Sequence, residues 1–211
     1  MTNALLALHI IAGFLALGTA GLALGTVKGG PAHRRAGTLY VLSMLVVTLT
    51  TFALVAIRPN LFLFVIGIFS FYLVFSGWRA ALLRDGRPRW PDHLGGLAMG
   101  ATGLAMMGLG LNGLVGDGGA QPVILLVFGA IGLTMALSDW RDWRAGPVTG
   151  KARIARHLTR MLAGSIATLT AAIVVNVTFL PALVTWLGPT ALITPVIFWW
   201  NARVMRGRVP A

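Results

Sequence analysis

Cysteine is absent from this chain of 211 residues, and charged side chains are scarce. Without cysteine there is no disulfide, no thiol catalysis and no iron–sulfur cluster. Only 10% of the residues are charged, whereas soluble domains carry about 25%. Such a chain cannot cover a water-facing surface, and its mean hydropathy of +0.83 indicates an integral membrane protein.

Long apolar runs account for most of the sequence. Within lipid every backbone N–H and C=O must be paired inside the protein, so runs that approach the ~20 residues needed to cross a bilayer are helices. The alternation typical of a membrane β-barrel is absent. We therefore predict an all-α polytopic membrane helix bundle that forms a single transmembrane domain over residues 1–211. The seven predicted spans are Ala4–Val27, Ala36–Ile57, Leu61–Gly77, Leu94–Val115, Val123–Ser138, Met161–Leu180 and Leu183–Ala202.

Basic residues are distributed unevenly among the predicted connections. Of the 17 lysines and arginines, 16 lie in the first, third and fifth connections or in the C-terminal tail, and only Arg58 lies on the other side. The positive-inside rule then places the N-terminus outside and the C-terminus in the cytoplasm of a multi-pass inner-membrane protein. This basic rim explains the formal charge of +12, so the expected partners are the bilayer and anionic lipids at the cytoplasmic face, not nucleic acid. The first span has no basic region before it, and we expect no cleavable signal peptide.

A hairpin unit recurs along the chain. Two spans end in Ser-x-Trp-Arg, at Ser76–Arg79 and Ser138–Arg141, and a basic loop and a histidine follow each of them. A shorter version of this unit connects the first two spans. We predict three helical hairpins followed by a seventh helix, which places His33, His93 and His157 at equivalent depths on the cytoplasmic side.

These three histidines are the main candidate site. Neutral imidazole is the commonest metal ligand in proteins, so His33, His93 and His157 are predicted to converge on a metal ion or on the iron of one haem b. His9, the only ionisable residue well inside a predicted span, is a further candidate for cofactor binding. Two other interpretations stay open. For the three inner histidines, the alternative is a basic rim that touches lipid headgroups. For His9, the alternative is a neutral imidazole that is hydrogen-bonded to a neighbouring helix.

Glycines lie one or two helical turns after each histidine and are expected to leave room for a flat macrocycle. They are Gly13 after His9, Gly37 after His33, Gly96 and Gly100 after His93, and Gly164 after His157. Small residues at helical spacing, such as Gly21 and Gly25, also permit close approach between helices.

Acidic residues are few, and the chain has five, all of them aspartates in predicted loops or at helix ends. Carriers driven by protons or sodium generally need a carboxylate within the membrane, so this distribution disfavours that class. No phosphate loop, dinucleotide fingerprint or zinc-protease motif is present. Asp139 and Asp142 are expected to pair with nearby arginines or to orient a ligating histidine.

Four stretches carry a resemblance to a known family. LHIIAGFLALGTAGLAL, HRRAGTLYV, FYLVFSGWRA and RHLTRM resemble a family of bacterial polytopic membrane proteins that share a histidine in the first helix and the motifs HRxxG, YLVxxGWR and RHLxRM. That family has no assigned activity to transfer. The histidine-bearing hairpins also look distantly similar to membrane cytochromes of the b type. However, three histidines are predicted on the cytoplasmic side of the membrane and only one toward the opposite side. A site with two histidine ligands therefore cannot form on that opposite side within one chain.

Two functional interpretations follow. In the first, the protein binds one haem b or metal ion near the cytoplasmic face and takes part in electron transfer. In the second, it is a non-catalytic accessory or assembly subunit, held by helix packing in a larger respiratory or photosynthetic membrane complex. The small number of buried polar groups favours the second, and the repeated histidine favours the first. A channel or carrier for a neutral or anionic solute through a basic vestibule is a third class, and no motif decides whether the protein is an enzyme.

Overall fold

The computed structural model describes residues 2–116 and 118–207, and within these residues it is all-α. Seven helices are long and apolar enough to cross a membrane, which confirms the predicted helix bundle. Large apolar side chains such as Leu97 and Phe198, which are 73% and 69% exposed, cover the outer surface, as contact with lipid requires. The helices are α1 Thr2–Gly25, α2 Pro31–Ile57, α3 Leu61–Leu82, α4 Trp90–Leu114, α5 Gln121–Ala145, α6 Gly150–Asn176 and α7 Ala182–Met205.

Six of the seven helices extend further at the arginine-rich end than hydropathy predicts, whereas α1 ends at Gly25, before the predicted Val27. The largest difference is in α6, which begins at Gly150 and not at Met161. Arginine favours a helix nearly as much as leucine does, so a charged segment ends the apolar run without ending the helix. As a result His157 is the eighth residue of α6, whereas His33 is the third of α2 and His93 the fourth of α4. The three histidines therefore do not occupy equivalent positions in their helices.

The helices do not pack simply in chain order. α1 packs on α2 and α4 packs on α5, whereas α6 packs on α3, α7 and α1. The backbones of α5 and α6 do not approach each other, although the sequence repeat pairs them as a hairpin. Side chains must therefore span the space between α5 and α6. This happens at the basic end of the bundle, which is formed by the connections 26–30, 83–89 and 146–149 and the last turn of α7.

The main apolar core lies between α3, α4 and α5. Phe69 stacks on Phe128 with ring centroids 5.3 Å apart, and Met99 and Met106 of α4 are fully buried in the same cluster. Along α3 the core residue Phe69 precedes Tyr72 and the later polar residues of that helix. The polar groups of α3 therefore lie between this core and the basic end.

Glycines allow α4 and α5 to pack backbone against backbone. A Cβ added at Gly129 would lie 3.0 Å from the carbonyl oxygen of Gly103. Such close approach is characteristic of small residues at membrane helix contacts. Gly21 and Gly25 have nothing within 4 Å of an added Cβ, so these two glycines do not mark a helix contact.

A second close approach joins α3 and α6. A Cβ added at Gly77 would lie 2.9 Å from the Cβ of Arg160, and one added at Gly164 would lie 2.7 Å from a methyl group of Val74. Because Gly77 has no side chain, α6 lies close enough to α3 for Arg160 to reach the interior of the bundle.

Candidate functional site

An ion pair is buried between α5 and α6 at the basic end. Arg160 of α6 and Asp139 of α5 are each 3% exposed, and Arg160 Nη2 donates to Asp139 Oδ1 over 2.8 Å. The same Nη2 donates to the carbonyl oxygen of Met135 over 2.9 Å. Charges within a membrane bundle are costly, are kept paired, and commonly mark functional sites.

Tyr72 of α3 completes this centre. Its hydroxyl donates to Asp139 Oδ2 over 2.5 Å and accepts from Arg160 Nη1 over 2.9 Å. Both carboxylate oxygens of Asp139 therefore have a donor, a phenol on one and a guanidinium on the other. We call Tyr72, Asp139 and Arg160 the central triad.

Two further ion pairs surround the central triad. Arg79 Nε and Nη2 donate to the two carboxylate oxygens of Asp92 over 2.7 and 2.8 Å. Arg156 donates to Asp142, and its Nε lies 3.9 Å from Asp139 Oδ1. Asp139 and Asp142 thus pair with arginines, as one of the two sequence interpretations predicts.

The position of Asp139 overturns one expectation from the sequence. The predicted fifth span ends at Ser138, which leaves Asp139 outside it, but α5 continues to Ala145 and Asp139 is buried inside the bundle. Hydropathy marks the end of an apolar run and not the end of a helix. Asp139 is therefore a buried helix residue near the basic end of α5 and not a loop residue.

A pattern on α6 could have revealed these arginines. Arg153, Arg156 and Arg160 are spaced by three and then four residues, which places them on one face of a helix. On α5, Asp139 and Asp142 are also three residues apart. Two such faces of opposite charge on neighbouring elements predict ion pairs between the helices.

A small cavity lies beside the central triad, toward the connections of the basic end. Tyr72 and Asp139 line its inner part, and Gly86 and Val148 of the two loops line its outer part. The two loops are joined there, because the N–H of Val148 donates to the carbonyl oxygen of Gly86 over 3.0 Å. The cavity volume is about 40 Å³, which is room for a few water molecules. We call it the basic-end cavity.

Two of the three inner histidines meet. The ring centroids of His33 and His157 are 6.3 Å apart, and the rings are inclined at 81°. His33 Nδ1 lies 3.0 Å from the carbonyl oxygen of Ala23, and His157 Nδ1 lies 2.8 Å from that of Gly77. Because a carbonyl oxygen only accepts, both Nδ1 atoms carry a proton, and in the neutral rings both Nε2 atoms retain a lone pair. We call these two residues the histidine pair.

The other two histidines have different partners. His93 is exposed, and its ring meets the edge of Trp143 with centroids 4.6 Å apart. His9 Nδ1 lies 3.0 Å from Thr50 Oγ1 of α2, so His9 is bonded to a neighbouring helix, as one interpretation predicts. Within residues 2–116 and 118–207, no three His, Asp or Glu side chains are grouped so that they could hold a metal ion. The structure therefore brings together His33 and His157 but not His93.

Of the five glycines expected to leave room for a macrocycle, two are closely packed and three are not. Side chains of neighbouring helices occupy the space beside Gly96 and Gly164. A Cβ added at either glycine would lie 2.7 Å from the nearest side-chain atom. At Gly100 the nearest atom is 3.9 Å away, and at Gly13 and Gly37 nothing lies within 4 Å. The space beside Gly164, the glycine that follows His157, is therefore occupied by protein.

Comparisons of this chain with protein-family models, with curated proteins and with solved structures found no match. The resemblance carried by HRxxG, YLVxxGWR and RHLxRM stays a prediction. Two polar centres at the basic end, the histidine pair and the central triad with its cavity, therefore carry the functional inference.

Proposed function

We propose that this multi-pass membrane protein binds one transition-metal ion through His33 and His157, in the inner membrane and on the cytoplasmic side. The observation that carries the proposal is the bonding of both Nδ1 atoms to backbone carbonyl oxygens. Metal-ligating histidines almost always donate their other ring N–H in this way, which fixes the tautomer and the ring orientation. Both Nε2 atoms are thereby left as ligands of the kind that copper, iron, nickel and zinc accept.

The separation of the rings supports a shared ion. The rings of His33 and His157, with centroids 6.3 Å apart, are near enough for their Nε2 atoms to bind one ion with metal–nitrogen bonds of ~2.0–2.1 Å. Two imidazoles leave coordination positions for water or a small external ligand.

The identity of the bound group follows from the space beside the pair. The close contacts at Gly164 argue against a macrocycle on that side of α6, so we propose a bare ion in place of haem b. A copper or iron ion held there would serve electron transfer, the first interpretation of the sequence. The cytoplasmic placement is supported by the 16 of 17 basic residues on one side.

Copper titration of the purified protein in non-ionic detergent tests the proposal, because copper binds nitrogen sites most strongly among the first-row divalent ions. We expect one equivalent to bind, with at least a tenfold loss of affinity in His33→Gln and in His157→Gln. His93→Gln is the matched control, since His93 is an exposed histidine of the same basic end and lies outside the pair.

Unchanged copper affinity in His157→Gln, or an equal loss in His93→Gln, would contradict the proposal. A Soret band in the purified protein that disappears in His157→Gln would contradict the bare ion and restore haem b. The accessory-subunit interpretation stays a prediction, and copper binding that depends on the pair would count against a purely structural role.

A further inference from the structure

Three guanidinium groups line the basic-end cavity, and each has N–H groups that its protein partners do not use. They belong to Arg79 of α3 and to Arg153 and Arg156 of α6. A guanidinium carries five N–H donors. Arg79 donates from Nε and Nη2 to Asp92. Arg153 donates from Nη1 to carbonyl oxygens in the last turn of α3. Arg156 donates from Nη2 to Asp142. Donors for an additional acceptor therefore surround a space of about 40 Å³.

The carboxylates around this cavity do not balance its arginines. Asp92 pairs with Arg79, Asp142 with Arg156, and Asp139 with Arg160 of the central triad. The fourth arginine, Arg153, donates to the carbonyl oxygens of Ala80 and Ala81 in the last turn of α3. That helix end supplies only about half a negative charge. A partial positive charge is thus left over where the side chains of Arg79 and Arg156 are only 16% and 17% exposed, and partly buried charges are screened less than exposed ones.

We propose that the basic-end cavity binds one small monovalent inorganic anion of about the size of chloride. The anion would accept N–H groups of Arg79, Arg153 and Arg156 and compensate the excess positive charge. The cavity is small, so we expect it to prefer such an ion to larger tetrahedral anions and organic acids. This site is separate from the histidine pair and does not depend on the proposed metal function.

Thermal unfolding of the full chain in non-ionic detergent tests the proposal, with chloride or bromide replacing gluconate at constant ionic strength. We expect the melting temperature to rise and to saturate, by about 3–6 °C at roughly ten times the Kd. Arg156→Gln should lose most of this rise. Arg144→Gln is the matched control, because Arg144 stacks on Trp140 at the same end and does not line the cavity.

A second measurement keeps the test valid where Arg156→Gln folds poorly. Trp143 lines the cavity, so a bound bromide should quench its fluorescence with a saturating dependence that chloride competes away. The saturating component should disappear in Trp143→Phe and persist in Arg144→Gln.

Three outcomes would overturn the proposal. The first is the same melting temperature in chloride or bromide as in gluconate, and the second is an undiminished halide response in a folded Arg156→Gln. The third is a response to phosphate or to phosphatidylglycerol but not to halide, which would mean that the cavity takes free phosphate or a lipid headgroup instead. Phosphate alone and the lipid alone, added in separate samples, distinguish these two sources.

Discussion

Arg160 and Asp139 form a 2.8 Å ion pair between α6 and α5, two helices whose backbones do not approach each other. Tyr72 of α3 bonds to both members of the pair. At the basic end, side-chain charge therefore joins these helices in place of backbone packing. The energetic consequences of that arrangement are measurable.

Removal of one charge from this pair should destabilise the protein more than the removal of both. Asp139→Asn leaves the buried Arg160 without its carboxylate, at an expected cost of about 3–5 kcal/mol. Addition of Arg160→Met removes the stranded charge and should recover part of that loss. Thermal unfolding in detergent, followed by the circular dichroism of the helices, measures both single variants and the double variant.

Asp142→Asn is the control for this prediction. The Asp142 side chain is 38% exposed, and exposed ion pairs contribute only ~0–1 kcal/mol. An equal fall in melting temperature in Asp142→Asn would show that burial is not the cause. A double variant as unstable as the sum of its single variants would show that Asp139 and Arg160 are not coupled.

The contact between α4 and α5 predicts unequal effects of alanine at two glycines. Gly129→Ala would put its Cβ 2.9 Å from the Cβ of Met106 and 3.0 Å from the carbonyl oxygen of Gly103, so we expect a loss of about 1–3 kcal/mol. Gly21→Ala meets nothing within 4 Å and should leave the melting temperature unchanged or slightly higher. Equal melting temperatures for the two variants would argue that this packing is looser than described.

The bond between His9 and Thr50 predicts a smaller effect at the opposite end of the bundle. Thr50→Val removes the partner of His9 and should cost about 0.5–1.5 kcal/mol. Thr51→Val is the matched control, because the Thr51 hydroxyl donates only to the carbonyl oxygen of Val47 in its own helix. The melting temperatures of the two variants give the comparison, and a larger effect at Thr51 would contradict it.

The orientation of the chain is tested by reporters fused at its connections. Because 16 of the 17 basic residues lie on one side, a reporter in the connection 83–89 or at the C-terminus should be active as a cytoplasmic enzyme. Among the connections, a periplasmic reporter should be active only in 58–60, 115–120 and 177–181. Periplasmic activity at the C-terminus would reverse the proposed placement of the histidine pair.

Hydropathy and charge predict the number of helices, because lipid forces long apolar runs to be helical. They do not predict the last residue of α5 or the first residue of α6, because helix propensity at the basic end depends on residues that hydropathy counts as polar. Hydropathy accordingly places Asp139 in a loop or at a helix end, and it does not predict the central triad. Chain order also suggested that α5 packs on α6, whereas the small residues Gly77 and Gly164 bring α6 onto α3.

The sequence pattern singled out the histidines but could not pair them. His33, His93 and His157 occupy similar places in the sequence, yet only two of them meet in the fold. Their contacts depend on which helices are neighbours, and hairpin order does not determine that. His93 lies against Trp143 of α5 because α4 packs on α5 and not on α6.

The separation of Asp139 and Arg160 along the chain also has a consequence for biosynthesis. The carboxylate is translated 21 residues before its guanidinium partner. At about 5–20 residues per second, the ribosome delivers Arg160 roughly 1–4 s after Asp139. During that interval α5 lacks the guanidinium partner of its carboxylate, so we expect the lateral release of α5 into lipid to be delayed until α6 emerges. Nascent chains stalled so that Asp139 but not Arg160 has left the ribosome should then remain crosslinkable to the translocon, and those that carry Asp139→Leu should not.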